Sequence, residues 1–113
     1  MQLTGYALRM SIFIGEDDVR HHKPLHRVIV ERARDAGLAG ATVLRGCEGY
    51  GIHAMIHTTR LLSMSEDLPI TILIVDREDK IRAFLPELDE LISEGAVLLD
   101  EVEVLSTDGV RRP

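Results

Sequence analysis

Pro69-Ile70-Thr71-Ile72-Leu73-Ile74-Val75 is a run in which every position after the proline is apolar or β-branched. A strand with one wet face alternates polar and apolar residues, whereas a strand apolar on both faces belongs in the middle of a sheet. The run therefore predicts a central strand, and the flanking segments are read as the partners it needs.

On the C-terminal side, Ile81, Phe84, Leu85, Leu88 and Ile92 recur at offsets of 3, 4, 7 and 11, the stripe of an amphipathic helix. Pro86 either kinks this helix or marks a late start, and Gly95 closes it. A further strand is expected from Ala96 to Leu105, where Val102 and Val104 alternate with Glu101 and Glu103. Residues 106–113, with Gly109, Arg111 and Arg112, carry no periodic pattern and read as a loosely ordered tail.

On the N-terminal side, Ala41-Thr42-Val43-Leu44-Arg45 reads as a strand. Before it, Leu25, Val28, Ile29, Ala33 and Ala36 form a second helical stripe, with Pro24 suited to the first turn and Gly37 to the stop. The first strand is a period-two pattern, Tyr6, Leu8, Met10, Ile12 and Ile14 on one parity, ending at Gly15 before the acidic loop Glu16-Asp17-Asp18. The order β-α-β-β-α-β, with two helices that each need an apolar surface to cover, predicts an α+β ferredoxin-like sandwich on an antiparallel sheet. All 113 residues are read as one domain.

Composition narrows the function classes. A net charge of −6 repels phosphate backbones at long range, and with two Phe, two Tyr and no Trp there are few platforms for stacking bases, so nucleic acid is not an expected partner. Cys47 is the only cysteine, which excludes an internal disulfide. The apolar stretch Tyr6 to Ile14 is too short to span a bilayer, is broken by Arg9 and lacks a cleavage site after it. A cytoplasmic location is expected.

The connection 46–68 is longer than a hairpin needs, and long connections in compact domains are commonly functional. It carries Ile52, Met55, Ile56, Leu61, Leu62 and Met64, which seek burial in a short helix or on a neighbouring subunit. Its base, Arg45-Gly46-Cys47-Glu48-Gly49-Tyr50-Gly51, has three glycines in the six positions 46–51, a composition that lets successive N–H groups approach an anion or simply makes a tight turn. His21, His22 and Lys23 precede the first helix, where the dipole disfavours cations unless an anion is shared, so Lys23 is a candidate ligand contact.

Histidine spacing opens a rival reading. His22 and His26 are four apart, as are His53 and His57, the separation at which two imidazoles on a helix grip one metal, with Cys47 as a further donor. For catalysis the chain offers little: Ser63, Ser65 and Cys47 lack a nucleophile context, and Asp17-Asp18, Glu66-Asp67 and Glu78-Asp79 read as loop or helix-start charges. A binding protein is expected rather than an enzyme.

Phe13-Ile14-Gly15-Glu16, Lys23-Pro24-Leu25, the block from Ala36 to Gly46, Gly49-Tyr50-Gly51, Asp67-Leu68-Pro69-Ile70 and Val75-Asp76 together resemble a family of uncharacterised PII-like proteins of bacteria and archaea. The resemblance implies a fold shared with the nitrogen-regulatory PII and CutA proteins, which form trimers whose sheets pack around a threefold axis. It implies that the connection 46–68 corresponds to the PII T-loop, which contacts partner proteins, and that an adenine nucleotide (AMP, ADP or ATP) binds in the cleft between subunits. Arg45, Gly46, Gly49, Tyr50 and Gly51 would line that cleft. PII proteins carry a glycine-rich, lysine-bearing phosphate loop after the second helix, whereas Ser93-Glu94-Gly95-Ala96 has one glycine and no lysine, so a less charged nucleotide such as AMP, or no nucleotide, is an equal candidate. Relatives encoded near or fused to fluoride-channel proteins imply a membrane transporter or channel as partner. The CutA likeness, joined to the histidine pairs, implies the alternative of a metal-responsive protein.

Overall fold

The computed structural model describes residues 5–49 and 68–105. In chain order the elements are strands β1 (Gly5–Gly15), β2 (Val19–Arg20) and β3 (Lys23–Pro24), helix α1 (Leu25–Asp35), strands β4 (Thr42–Arg45) and β5 (Pro69–Asp76), helix α2 (Glu78–Leu91) and strand β6 (Ala96–Val104). The four long strands form one antiparallel sheet in the order β4-β5-β1-β6, with β5 and β1 inside as the two-faced apolar run requires. That order, with both helices on one face, is the ferredoxin-like plan.

Register decides which residues meet. Leu8 lies opposite Asp76 and Gly15 opposite Pro69, so Leu8, Met10, Ile12 and Ile14 share a face with Ile70, Ile72 and Ile74. These side chains pack with Leu25, Ile29 and Ala33 of α1 and with Ile81, Phe84, Leu88 and Leu91 of α2 in one buried cluster. Burial of each large member contributes about 1.5–3 kcal/mol.

Helix α1 ends in a Schellman motif: Leu38 N–H donates to Ala33 O at 3.1 Å and Gly37 N–H to Arg34 O at 3.0 Å. Gly37 takes φ +81°, which a side chain would resist. Pro24 stands just before α1 as its cap rather than inside the first turn, and α2 runs from Glu78 straight through Pro86, so the late-start reading of that proline does not hold. At the start of α2 the Arg77 guanidinium, 2.7 Å from Asp79, holds that carboxyl below the usual carboxylate range.

One element has no precedent in the periodicity: the hairpin β2–β3, in which Val19 pairs with Pro24 and Arg20 with Lys23. Its two-residue turn is His21-His22, at φ +51° and +68°, the left-handed pair a tight hairpin turn demands. Histidine is among the non-glycine residues that tolerate this region best.

The face of the sheet away from the helices is also rich in apolar side chains. Leu44, Thr71, Phe13 and Ala96 form one cross-strand row, and Thr42, Leu73, Ser11 and Leu98 the next. Leu44 is 50% and Leu98 54% exposed in the single chain. A third row holds the Arg9–Asp100 pair, Nη2 to Oδ2 2.7 Å, whose hydrogen bond pushes the guanidinium further up in pKa.

Candidate functional site

Strand β4 ends at Arg45, and the chain leaves the sheet there as a tightly closed stem. Gly46 N–H donates to Pro69 O at 2.8 Å, which binds the first residue of the connection to the strand that receives its other end. A Cβ on Gly46 would stand 2.7 Å from Pro69 Cγ, and one on Gly49 3.3 Å from the same atom. Gly46, Gly49 and Pro69 thus form one close-packed corner. Gly46→Ala is expected to cost about 1–3 kcal/mol of stability through this contact, read as a lower urea midpoint.

Glu16 sits on the facing turn. Its N–H donates to Leu68 O at 2.8 Å, extending the Gly15–Pro69 register by one residue. Its carboxylate takes the side-on edge of Arg45: Nη2 lies 3.1 Å from Oε1, and Nε pairs with Oε2. Next to it Asp18 accepts the Gly15 N–H at 3.0 Å and passes a carbonyl to the Leu25 N–H at 2.8 Å, which docks the acidic turn on the start of α1. The stem therefore brings one guanidinium, two carboxylates and a glycine-lined backbone to one end of the sheet.

Of the residues expected at a ligand site, Arg45, Gly46 and Gly49 are brought together here. Lys23 stands on β3, its Nζ 3.5 Å from the Glu31 carboxylate on α1. Tyr50 and Gly51 lie outside the described residues, as does most of the connection 46–68 and the tail 106–113.

The helical-spacing argument for His22 and His26 does not apply. His22 occupies the hairpin turn and His26 the first turn of α1, so four residues of spacing do not place the two imidazoles on one helical face. His53 and His57 lie outside the described residues, Cys47 is exposed and free, and no cluster of three metal-ligating groups occurs among the described residues.

The roles of two groups are not visible in the sequence. Glu16 stands in the acidic loop and in a segment that carries the family resemblance, but its place at the stem depends on strand register. Asp76 is fully buried; Oδ2 accepts the Ala39 N–H at 2.9 Å and Oδ1 the Arg77 N–H at 2.7 Å, joining the corner after α1 to the start of α2. An aspartate closing an otherwise apolar strand was the available signal, since a buried carboxylate needs donors.

Residues 7–104 match the DUF190 family, described as "Uncharacterized ACR". A UPF0166 protein of Aquifex aeolicus (strain VF5) is 38% identical over 96 residues, covering 85% of this chain and 90% of the relative. One from Methanocaldococcus jannaschii is 29% identical over 90 residues, covering 80% and 82%. Among solved structures, CPII from Thiomonas intermedia K12, bound to ADP, AMP and acetate, superposes with a TM-score of 0.58 at 15% identity, covering 96% of this chain and 97% of that one. A protein described as PII-like from Thermus thermophilus gives 0.62 at 17% identity, covering 89% and 91%. At those identities the likeness is one of fold: ferredoxin-like, as the residue pattern predicts, and PII-like, as the family resemblance implies. No helix among the described residues is long and apolar enough to cross a membrane.

Proposed function

Since the chain belongs to the DUF190 family and has a PII-like sheet, we propose that it is a regulatory protein that binds an adenine nucleotide at the Arg45–Gly46–Gly49 stem and acts on a partner through the connection 46–68. The observation that carries this reading is the stem itself: a guanidinium and glycine-lined backbone meet where the connection leaves and rejoins the sheet. A charge-assisted contact from Arg45 to a phosphate and close approach to the Gly46 and Gly49 backbone are the interactions such a ligand requires. Structures of CPII bound to ADP and AMP support adenine nucleotides as the class to test first. Tyr50 and Gly51 complete the ligand-contacting set in this proposal.

We place the ligand between copies of the chain in a homotrimer. The apolar rows on the helix-free face of the sheet support assembly, because monomers rarely expose contiguous apolar patches of this kind. Ligand occupancy at the stem then governs how the connection 46–68 is presented to the partner. We assign the partner to the membrane transporters and channels, of the fluoride-channel type, on the family resemblance alone, and the protein itself to the cytoplasm. The function is binding and signalling, not catalysis.

Titration calorimetry against AMP, ADP, ATP and cyclic nucleotides tests the reading. At least one is expected to bind, and Arg45→Gln to weaken it about tenfold, the worth of one charge-assisted hydrogen bond. Absence of heat with every nucleotide at millimolar concentration would remove the proposal.

A further inference from the structure

The cation of the stem already faces an anion. Glu16 fills the side-on edge of the Arg45 guanidinium, and its backbone is pinned by the hydrogen bond to Leu68 O, so the carboxylate is held at the stem and does not sweep freely through solvent. Its side chain is 28% exposed against 58% for Arg45, which limits how far water screens the more buried partner. Asp18 stands on the same turn with Oδ2 accepting the Gly15 N–H, and Lys23 pairs with Glu31. Among the described residues, a phosphate approaching Arg45 therefore meets a cation that the Glu16 carboxylate already faces.

We propose that Glu16 is a specificity-determining residue whose fixed charge penalises each added phosphate, so that the site selects nucleotides with few phosphates over triphosphates. This rests on the nucleotide reading above and narrows it to a ligand class. Between a carboxylate and a phosphate charge about 6 Å apart and fully screened by water, repulsion is worth about threefold in affinity per unit charge. A monophosphate and a triphosphate differ by about two charges, so the discrimination accumulates to about tenfold. A guanidinium also offers a second, end-on edge, so a phosphate can be bound while the Glu16 pair persists. The carboxylate then acts on the ligand through its charge and not by blocking the site.

The test is calorimetric titration of the full chain and of Glu16→Gln with AMP, ADP and ATP at low and high salt. In the variant the ratio of the ATP to the AMP dissociation constant is expected to fall about tenfold at low salt, with ATP gaining most, and the change to shrink at high salt. Glu16→Asp keeps the charge and should keep the ratio; Glu16→Ser supplies a second neutral variant should the glutamine chain not fold. An unchanged ratio overturns the inference while leaving nucleotide binding intact. Equal weakening of all three overturns it too, because Glu16 would then merely orient Arg45. If neither wild type nor variant binds any of the three, the nucleotide reading itself fails and this inference with it.

Discussion

Asp76→Ala is expected to lower the unfolding free energy by about 2–4 kcal/mol, because it strips the acceptor from two backbone N–H groups at once. Both carboxylate oxygens are in use, Oδ2 on Ala39 and Oδ1 on Arg77, and the residue has no exposed surface. Both hydrogen bonds are part-buried, and a donor shielded there without a partner costs about 1–3 kcal/mol, while the lost carboxylate returns little, since its burial was already offset by those bonds. Asp76→Asn should cost less, about 1–2 kcal/mol, as the amide keeps one acceptor oxygen and turns a nitrogen toward the other donor. Urea unfolding of the three chains at constant slope measures both steps. A wild-type midpoint for the alanine variant would mean that water reaches the two N–H groups and that the carboxylate does not anchor the corner after α1.

Leu98→Asp is expected to dissociate the proposed trimer. Leu98 lies in the row Thr42, Leu73, Ser11 and Leu98 on the helix-free face and is 54% exposed in the single chain. If three such faces pack together, each copy loses the burial of a leucine, about 1.5–3 kcal/mol, and gains a charge that must be desolvated beside its own symmetry mates. Light scattering should give a wild-type particle of three times 12.6 kDa and a variant particle of 12.6 kDa. Asp35→Asn, at the outer end of α1, serves as a control that should leave the mass unchanged. A wild-type mass of one chain would end the trimer proposal, and a Leu98→Asp trimer would place the interface elsewhere.

Element types were legible because periodicity is a local signal. The run 69–75 marked the inner strand, the alternating parity of residues 6–14 its neighbour, and the two helical stripes their packing faces, all in agreement with the sheet order β4-β5-β1-β6. The hairpin β2–β3 was illegible because its strands are two residues long and its turn uses His21-His22 in place of the usual Asn-Gly. The four-residue spacing of His22 and His26 suggests one helical face, whereas the turn takes His22 out of the helix that holds His26. At the stem, glycine clustering and family likeness pointed to Arg45, Gly46 and Gly49, whereas the Glu16–Arg45 pair depends on which residues of distant strands stand side by side. A single sequence does not state that register. Lys23 shows the converse limit: its charge is legible in the sequence, but its pairing with Glu31 depends on the hairpin β2–β3 that sets it beside the helix.

The hydrogen bonds that fasten Gly46 to Pro69 and Glu16 to Leu68 close the root of the connection within the body of the protein. Once a root is closed, extra chain beyond it adds only slowly to the entropy of closure, about 0.6 kcal/mol per doubling of length. Evolution can thus rewrite or lengthen whatever grows from this socket without renegotiating the scaffold, so that homologous molecules can acquire different targets while inheriting the same chassis.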